Sequence, residues 1–299
     1  MFSVLVPSFN HAPYLAGGVV SALRSSLVTE ILVVDDGSTD RSREVLAQLA
    51  ASWPDRVREL PGSGEENLGA ARRLNELVDS ASQEWVAVLN SDDTFVAGRF
   101  EVLRRHCTNG VDFLCGHLAI QDQTGHVFGT KRGVEEPEYP FPSGFDPLAH
   151  LERGELLAPL ANQNFVATSS NMVFRRSLHR QIGGFRDYRY THDWDFALRA
   201  AAKGTCRVLP HYLSIYRDHR SNTIRESKAA TQAEVRSLFH DFIADFPQLR
   251  ADPAVRLALA GNRYLGPEWM AENGFPDAAP AELQGRRAPQ AGAGRGTGP

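Results

Sequence analysis

Over the first half of the chain, short β-branched and aliphatic runs alternate with stretches whose apolar residues recur at helical spacing. This is the pattern of βαβ units around a buried, mostly parallel sheet. SVLVP at 3–7, EILVVDD at 30–36, RVREL at 56–60 and EWVAVLN at 84–90 read as strands, RVREL being the weakest. APYLAGGVVSALRSS, STDRSREVLAQLAAS (38–52) and LGAARRLNELVDSA read as helices, the second with a capping signal at Ser38 or Thr39. Polar and acidic side chains recur at the carboxyl ends of the strands, the edge at which open α/β sheets bind ligands.

Further along the pattern changes. VDFLCGHLAI at 111–120 is still a strand, but HVFGT, YPFPSGFDP and APLANQN are rich in Pro, Gly and aromatic residues and predict a hairpin and long loops over the sheet edge. Long ordered loops of this kind commonly bind substrate or act as lids. FVATSSNMVFRRSLHRQIGGF at 165–185 predicts a strand, a short helix and a Gly turn, and DWDFALRAAAKG at 193–204 a helix with an acidic start and a stop at Gly204. CRVLP and YLSIYRDH read as two extended segments, ATQAEVRSLFHDFIADF at 230–246 as an amphipathic helix, and Ala278–Pro299 as a disordered Ala/Gly/Pro/Arg tail.

Composition narrows the class. The 299 residues are 42% apolar, with 32 Lys and Arg against 36 Asp and Glu and a formal charge of −4, which excludes disorder and collagen and allows a large core. The balance leaves no basic footprint for a duplex backbone, so nucleic acid is not an expected partner. Cys107, Cys115 and Cys206 are odd in number and lack metal or redox spacing, and read as reduced, packed thiols of a cytosolic protein. The N-terminus enters an apolar strand with no basic n-region or cleavage site. No window reaches the roughly 18 continuous apolar residues of a membrane span. The expected location is cytoplasmic, with attachment to the inner face of a membrane left open.

Three segments carry candidate chemistry. In LNSDD at 89–93 two carboxylates, Asp92 and Asp93, follow a buried strand, where they need a cation or hydrogen-bond donors; a Mg²⁺ or Mn²⁺ ion carrying a diphosphate meets that need. The plainer reading is an N-cap or Asx turn before the helical VAGRFEVLRRH. In VVDDGSTD at 33–40, Asp36 on a Gly turn can accept from a nucleobase or ribose, or serve with Ser38 as a cap. In PSFNHAPYL at 7–15, Pro7, Ser8, Phe9 and Asn10 can offer backbone groups and an aromatic face to a base, or form a plain βα loop. Neither the dinucleotide fingerprint nor the Gly-Lys-Ser/Thr phosphate loop is present.

In order, PSFNHAPYL, VVDDGSTD, NLGAARRLN and LNSDD resemble the nucleotide-sugar half of the inverting glycosyltransferases of family 2, which have the GT-A fold, a Rossmann-like α/β sheet flanked by helices. TSSNMVFRR at 168–176, GGF at 183–185, HDWDFALRAAAKG at 192–204 and YRDH at 216–219 resemble the acceptor half. The resemblance covers about residues 2–220 and divides the chain into a catalytic domain at 1–220 (donor half 1–110, acceptor half 111–220), a helical extension at 221–277 and a tail at 278–299.

The resemblance implies roles for individual residues. Pro7, Phe9 and Asp36 surround the base; Gly69 lets the backbone approach the nucleotide, and Asn67 or Asn75 shapes that wall; Asp92 contacts ribose and metal, Asp93 is the principal metal ligand, and His219 reaches the metal or the diphosphate. Asp193 matches the second acid of the family's Glu-Asp pair, where the general base sits; by its own position it also reads as a helix cap, with Asp195 as the competing acid. Ser170 and Asn171, in a stretch most simply read as core, and His192 are candidates for the acceptor side. Two positions depart: Asn90 stands where many members carry the first Asp of the acidic run, and His192 replaces the Glu before the base. The implied partners are a nucleotide-diphospho-sugar, a UDP-sugar first, and an acceptor hydroxyl; the cofactor is Mn²⁺ or Mg²⁺. A sugar nucleotidyltransferase, and a non-catalytic sugar-nucleotide or glycan-binding module, are the alternatives.

Overall fold

A computed structural model describes residues 1–62 and 66–275; the predicted tail lies outside these. The first half builds β1 (Phe2–Ser8), α1 (Ala12–Leu23), β2 (Val28–Asp35), α2 (Ser42–Ser52), β3 (Val57–Glu59), α3 (Ala70–Ser80), β4 (Trp85–Val88), β5 (Thr94–Phe95) and α4 (Arg99–His106). The second half adds β6 (Phe113–Asp122), β7 (Val127–Lys131), α5 (Pro147–Glu152), α6 (Leu157–Asn162), β8 (Val173–Arg175), α7 (Arg176–Ile182), α8 (His192–Lys203), β9 (Cys206–Asp218), α9 (Lys228–Asp245), α10 (Pro253–Ala260) and α11 (Pro267–Glu272). The strands form one sheet in the order β3-β2-β1-β4-β8-β6-β9-β5, with β7 paired to β6.

β1, β2, β3 and β4 are mutually parallel, and every residue of β1 is buried, as its run of apolar residues predicts for a strand covered on both faces. Side chains alternate between the faces. Val4 and Val6 join one core with Val33 and residues of α1, α2 and α4, whereas Leu5 joins another with Val34, Val86 and residues of α3, α8 and α9. Because the chain order reverses between β1 and β4, the loop after β1 and the turn after β4 emerge side by side. Such a reversal is where open sheets form their ligand crevice.

Several boundaries differ from expectation. α2 begins at Ser42 rather than at a Ser38 or Thr39 cap, because the Ser38 amide donates to Asp35 Oδ1 in a turn (2.9 Å). α4 is preceded by Gly98 in the left-handed region (φ 80°), so Asp93 caps no helix. The stretch expected as long loops contains α5 and α6. CRVLP and YLSIYRDH form a single strand, β9, in which Leu209 and Tyr212 pair with the consecutive residues Gly116 and His117. Pro210 and His211 are thereby left in a bulge, which is how a strand accommodates a proline that cannot join the ladder. The antiparallel strands β5, β7 and β8 make the second half of the sheet mixed. The three cysteines are free thiols, with Cys115 and Cys206 buried. Helices α9, α10 and α11 supply Phe239, Phe242, Leu259 and Trp269 to the core that also holds Trp194 of α8.

Candidate functional site

The turn after β4 is closed by a hydrogen bond from the Asp93 amide to Asn90 O (3.0 Å) and pinned by the end of β9. The Arg217 amide donates to Asp93 Oδ1 (2.8 Å) and its Nε to Asp92 O (2.9 Å). These bonds send the two neighbouring carboxylates in opposite directions. Asp93 points inward, and its Oδ2 accepts from Ser170 Oγ (2.6 Å) and Thr168 Oγ1 (3.2 Å). Burial, aided by the charge of Asp92, pushes the Asp93 carboxyl up to about 8. The residue expected to be the principal metal ligand is therefore locked into the protein by its own donors.

Asp92 points outward. Its Oδ2 lies 3.0 Å from His219 Nε2 and 3.8 Å from His11 Nε2. Burial alone would raise its carboxyl, but the His219 hydrogen bond and the nearby His11 outweigh that and hold it below the ordinary range. One ligand atom from each of His11, Asp92 and His219 lies within 4.8 Å of the other two. Each imidazole is oriented from behind: His11 Nδ1 is 2.8 Å from Ser91 Oγ and His219 Nδ1 is 2.9 Å from Ser221 Oγ, so both Nε2 atoms face Asp92. Imidazoles held through the second ring nitrogen are the usual state of metal-ligating histidines. Burial, and His219 beside it, lower the His11 pKa against the opposing charge of Asp92, which favours the neutral ligand form. The donor set fits a divalent ion. The resemblance reached Asp92 and His219 but missed His11, whose only signal is its place at the end of the PSFN loop beside the acidic turn.

The expected base-binding wall is only partly open. Phe9 is 40% exposed at the sheet edge, while Pro7 and Ser8 are buried. Asn10 is turned into the left-handed region (φ 54°), with its Oδ1 accepting from the Thr39 amide (2.8 Å), so its side chain braces the loop after β2. Asp36 does not point a free carboxylate at a base. Its Oδ1 accepts from the Leu68 amide (2.9 Å) and Arg73 Nε (2.7 Å), and its Oδ2 from the Gly69 amide (2.8 Å). Asp36 thereby ties the βα turn to the start of α3, where Gly69 takes a φ of 88° that favours glycine. Asn67 is exposed nearby. Asn75 lies elsewhere: its side chain donates to Phe185 O (2.9 Å) and accepts from the Phe185 amide (2.8 Å), bracing the Gly183-Gly184 turn.

On the acceptor side, three expected contacts are framework. Ser170 is spent between Asp93 and the Asn90 amide (2.9 Å), and Asn90 Nδ2 donates to Thr168 Oγ1 (3.0 Å), so Asn90 braces this frame as well. Asn171 is fully buried, exchanging hydrogen bonds with Gly116 N (2.9 Å) and O (2.8 Å) across β6. His192, at the start of α8, contacts Ser169 Oγ (3.1 Å). Asp193 is different: it lines a cavity of about 330 Å³ together with Asn164, Tyr139, Tyr190, Tyr216 and Tyr264. Its Oδ1 accepts from the Trp194 amide (2.7 Å) and weakly from Asn164 Nδ2 (3.4 Å). Burial raises its pKa, opposed by His192 and these donors. A buried carboxylate in a cavity edged by half-buried tyrosines can accept a proton from a bound hydroxyl.

The parallel half-sheet, the strand-order reversal and the acidic turn are those of a GT-A fold. The chain belongs to glycosyl transferase family 2, whose model matches residues 3–183. Among curated relatives, an uncharacterized glycosyltransferase of Nostoc sp. is 26% identical over 78% of this chain and 69% of its own length. The succinoglycan biosynthesis protein ExoU of Rhizobium meliloti is 28% identical over 70% of this chain and 59% of its own length. The chain thus spans 58 to 69% of the length of the first relatives it matches. Among solved structures, residues 1–349 of TarS from S. aureus superpose with a TM-score of 0.59 at 17% identity, covering 95% of this chain and 76% of that one. The mannosyltransferase PcManGT of Pyrobaculum calidifontis, solved with GDP-Man and Mn²⁺, gives 0.57 at 15% identity over 96% and 76%. At these identities the structural likeness speaks for the fold alone. Among the described residues no helix is long and apolar enough to cross a membrane.

Proposed function

We propose that the protein transfers a sugar from a nucleotide-diphospho-sugar, a UDP-sugar first, to a hydroxyl of an acceptor seated in the tyrosine-edged cavity, with inversion at the anomeric carbon. The observation that carries this reading is Asp193, a buried carboxylate on the wall of that cavity with its pKa raised by burial. An alcohol does not ionise near neutral pH, so the acceptor needs a carboxylate to take its proton as the new bond forms. Asp193 is that base. A single displacement from the face opposite the leaving group inverts the configuration.

His11, Asp92 and His219 are the residues that would hold the divalent ion. Bound there, the ion stabilises the charge that develops on the departing nucleoside diphosphate. Two imidazole nitrogens in the set favour Mn²⁺ over Mg²⁺. Asp93, with Thr168, Ser170 and Arg217, keeps the turn rigid so that Asp92 faces outward. Phe9 and the Asp36–Gly69 turn form the edge on which the base rests.

The relatives named for succinoglycan biosynthesis and for glucosyl transfer to a diphosphoundecaprenol-linked sugar support a role in assembling a polysaccharide or glycoconjugate. The deciding experiment is a thermal-shift screen of UDP-, GDP-, dTDP- and CDP-sugars with Mn²⁺ and with EDTA, followed by NMR assignment of the product's anomeric configuration. A ligand of the native state alone raises the melting temperature with its concentration. A shift for one nucleotide that EDTA abolishes, with an inverted product, is the expected result. Retention of configuration refutes the mechanism, pyrophosphate release points to a nucleotidyltransferase, and binding without hydrolysis or transfer points to a sugar-nucleotide-binding module.

A further inference from the structure

The loop that delivers Asp193 is held by a residue outside the segment matched by the family model. Glu234 of α9 accepts four hydrogen bonds from three consecutive residues. Its Oε2 takes the Arg189 amide (2.8 Å), and its Oε1 takes the Tyr190 amide (2.7 Å), the Thr191 amide (2.8 Å) and Thr191 Oγ1 (2.9 Å). His192 and Asp193 follow directly. Thr191 is the N-cap of α8, yet its hydroxyl caps no amide of its own helix and donates to Glu234 instead. The orientation of the first turn of α8 is therefore set from α9.

This matters because little else aims the Asp193 side chain. Its own contacts are the amide of the next residue and one long hydrogen bond to Asn164, so where its carboxylate points follows from where the backbone at 191–193 sits. A carboxylate in contact with four donors is a strong anchor, since hydrogen bonds to an ionised acceptor are about twice as strong as neutral ones. Misplacing a reacting group by about 1 Å can cost on the order of a hundredfold in rate. Glu226 supports the same loop from outside through a bidentate pair with Arg189 (2.8 and 2.7 Å), but that pair is exposed and contributes little.

We propose that Glu234 is a positioning residue for the transfer reaction: its carboxylate fixes the Arg189–Thr191 loop and through it the placement of Asp193 in the cavity. The proposal rests on Asp193 being the base. It predicts that Glu234 acts in catalysis through the Arg189–Thr191 loop, without itself touching substrate.

The test uses the full chain as wild type, Glu234→Ala, Glu234→Gln, Thr191→Val and Asp193→Asn, with the sugar nucleotide selected by the shift screen and Mn²⁺. For Glu234→Ala, kcat should fall tenfold or more while the donor KM stays within twofold. Amide exchange in the peptide spanning 189–195 should quicken in the same variant. Glu234→Gln keeps an oxygen acceptor for the Oε1 bonds and should recover kcat to within threefold of wild type. Should the alanine variant not fold, Thr191→Val, which removes one bond, should lower kcat two- to fivefold at unchanged donor KM. If Asp193→Asn is inactive but Glu234→Ala or Thr191→Val turns over at wild-type speed, the positioning role is wrong. A glutamine variant as slow as the alanine one, or unchanged exchange, overturns it as well. Near-normal turnover in Asp193→Asn removes the base assignment itself, and this proposal with it.

Discussion

Replacing Asp92 and Asp93 one at a time separates two ligand sets for the metal. In Asp92→Asn the His11–Asp92–His219 group loses its only carboxylate. Changes behind a metal ligand already cost about 10- to 100-fold in affinity, so loss of the anionic ligand itself should weaken Mn²⁺ by about 100-fold or more, roughly 2.7 kcal/mol. Asp93→Asn should leave Mn²⁺ affinity within about threefold, for two reasons. Both Asp93 oxygens already accept from Arg217, Ser170 and Thr168. Burial and the neighbouring Asp92 charge also push its carboxyl up, so Asn removes less charge there than at Asp92. Isothermal titration of metal-free protein with Mn²⁺ reads both numbers. A folded Asp93→Asn protein that loses Mn²⁺ as completely as Asp92→Asn refutes the inward assignment. The pH dependence of stability in EDTA gives a second reading. A carboxyl whose folded pKa exceeds its unfolded value of 3.8 favours the folded state when protonated, and that contribution is present below about 4 and lost as pH rises through about 8. The melting temperature of the wild type should therefore fall relative to that of Asp93→Asn across this window.

Asp193→Asn should lower kcat by about a hundredfold or more while UDP affinity is retained, and wild-type kcat should rise with pH through a value above the ordinary aspartate range, because burial raises the base; a limb at an unperturbed aspartate value argues against the buried base. His11→Ala should weaken Mn²⁺ by about tenfold or more and reduce the preference for Mn²⁺ over Mg²⁺, read by competition titration; unchanged selectivity removes His11 from the set. Gly18→Ala would set a Cβ 2.9 Å from the Asp93 carbonyl, a backbone atom that cannot swing aside, and should cost about 1–3 kcal/mol in denaturant unfolding together with weaker metal binding; an unaffected midpoint shows that α1 can shift freely. Arg73→Met strands the buried Asp36 carboxylate and should destabilise by about 3–5 kcal/mol in the same assay.

The parts of this protein legible in its amino-acid order are those governed by local periodicity. β1, β2 and β4 are continuous apolar runs because both faces are covered, and a chain reading recovers them with small boundary errors. β9 was legible only as two pieces, since Pro210 is a break until the register of β6 shows where the bulge falls. Residues at strand ends and at a helix start were legible as candidate chemistry, which is how Asp92, His219 and Asp193 came into the proposed site. Their orientation was not. Whether Asp92 or Asp93 faces the crevice is decided by Arg217 at the far end of β9 and by Ser170 and Thr168 before β8, none of which lies near the turn in sequence. The asparagines misled for a related reason. An amide is suited equally to a ligand and to a remote backbone, and Asn75 and Asn171 are spent on Phe185 and Gly116.

The same reasoning bears on the helical extension. By composition it is an appendage after the last motif, and the family model ends before it. Its apolar face is nevertheless part of the core beneath α8, where Phe239 packs edge-on against Trp194 with ring centroids 5.3 Å apart. It supplies Glu234 to the loop before Asp193 and Thr231 and Tyr264 to the cavity wall. A helix that buries one face under α8 and hydrogen-bonds the Arg189–Thr191 loop cannot be removed without moving both. Truncation after residue 227 should therefore abolish folding of the acceptor half rather than merely alter acceptor choice, and a soluble, active truncated protein would show that the core around Trp194 closes without α9.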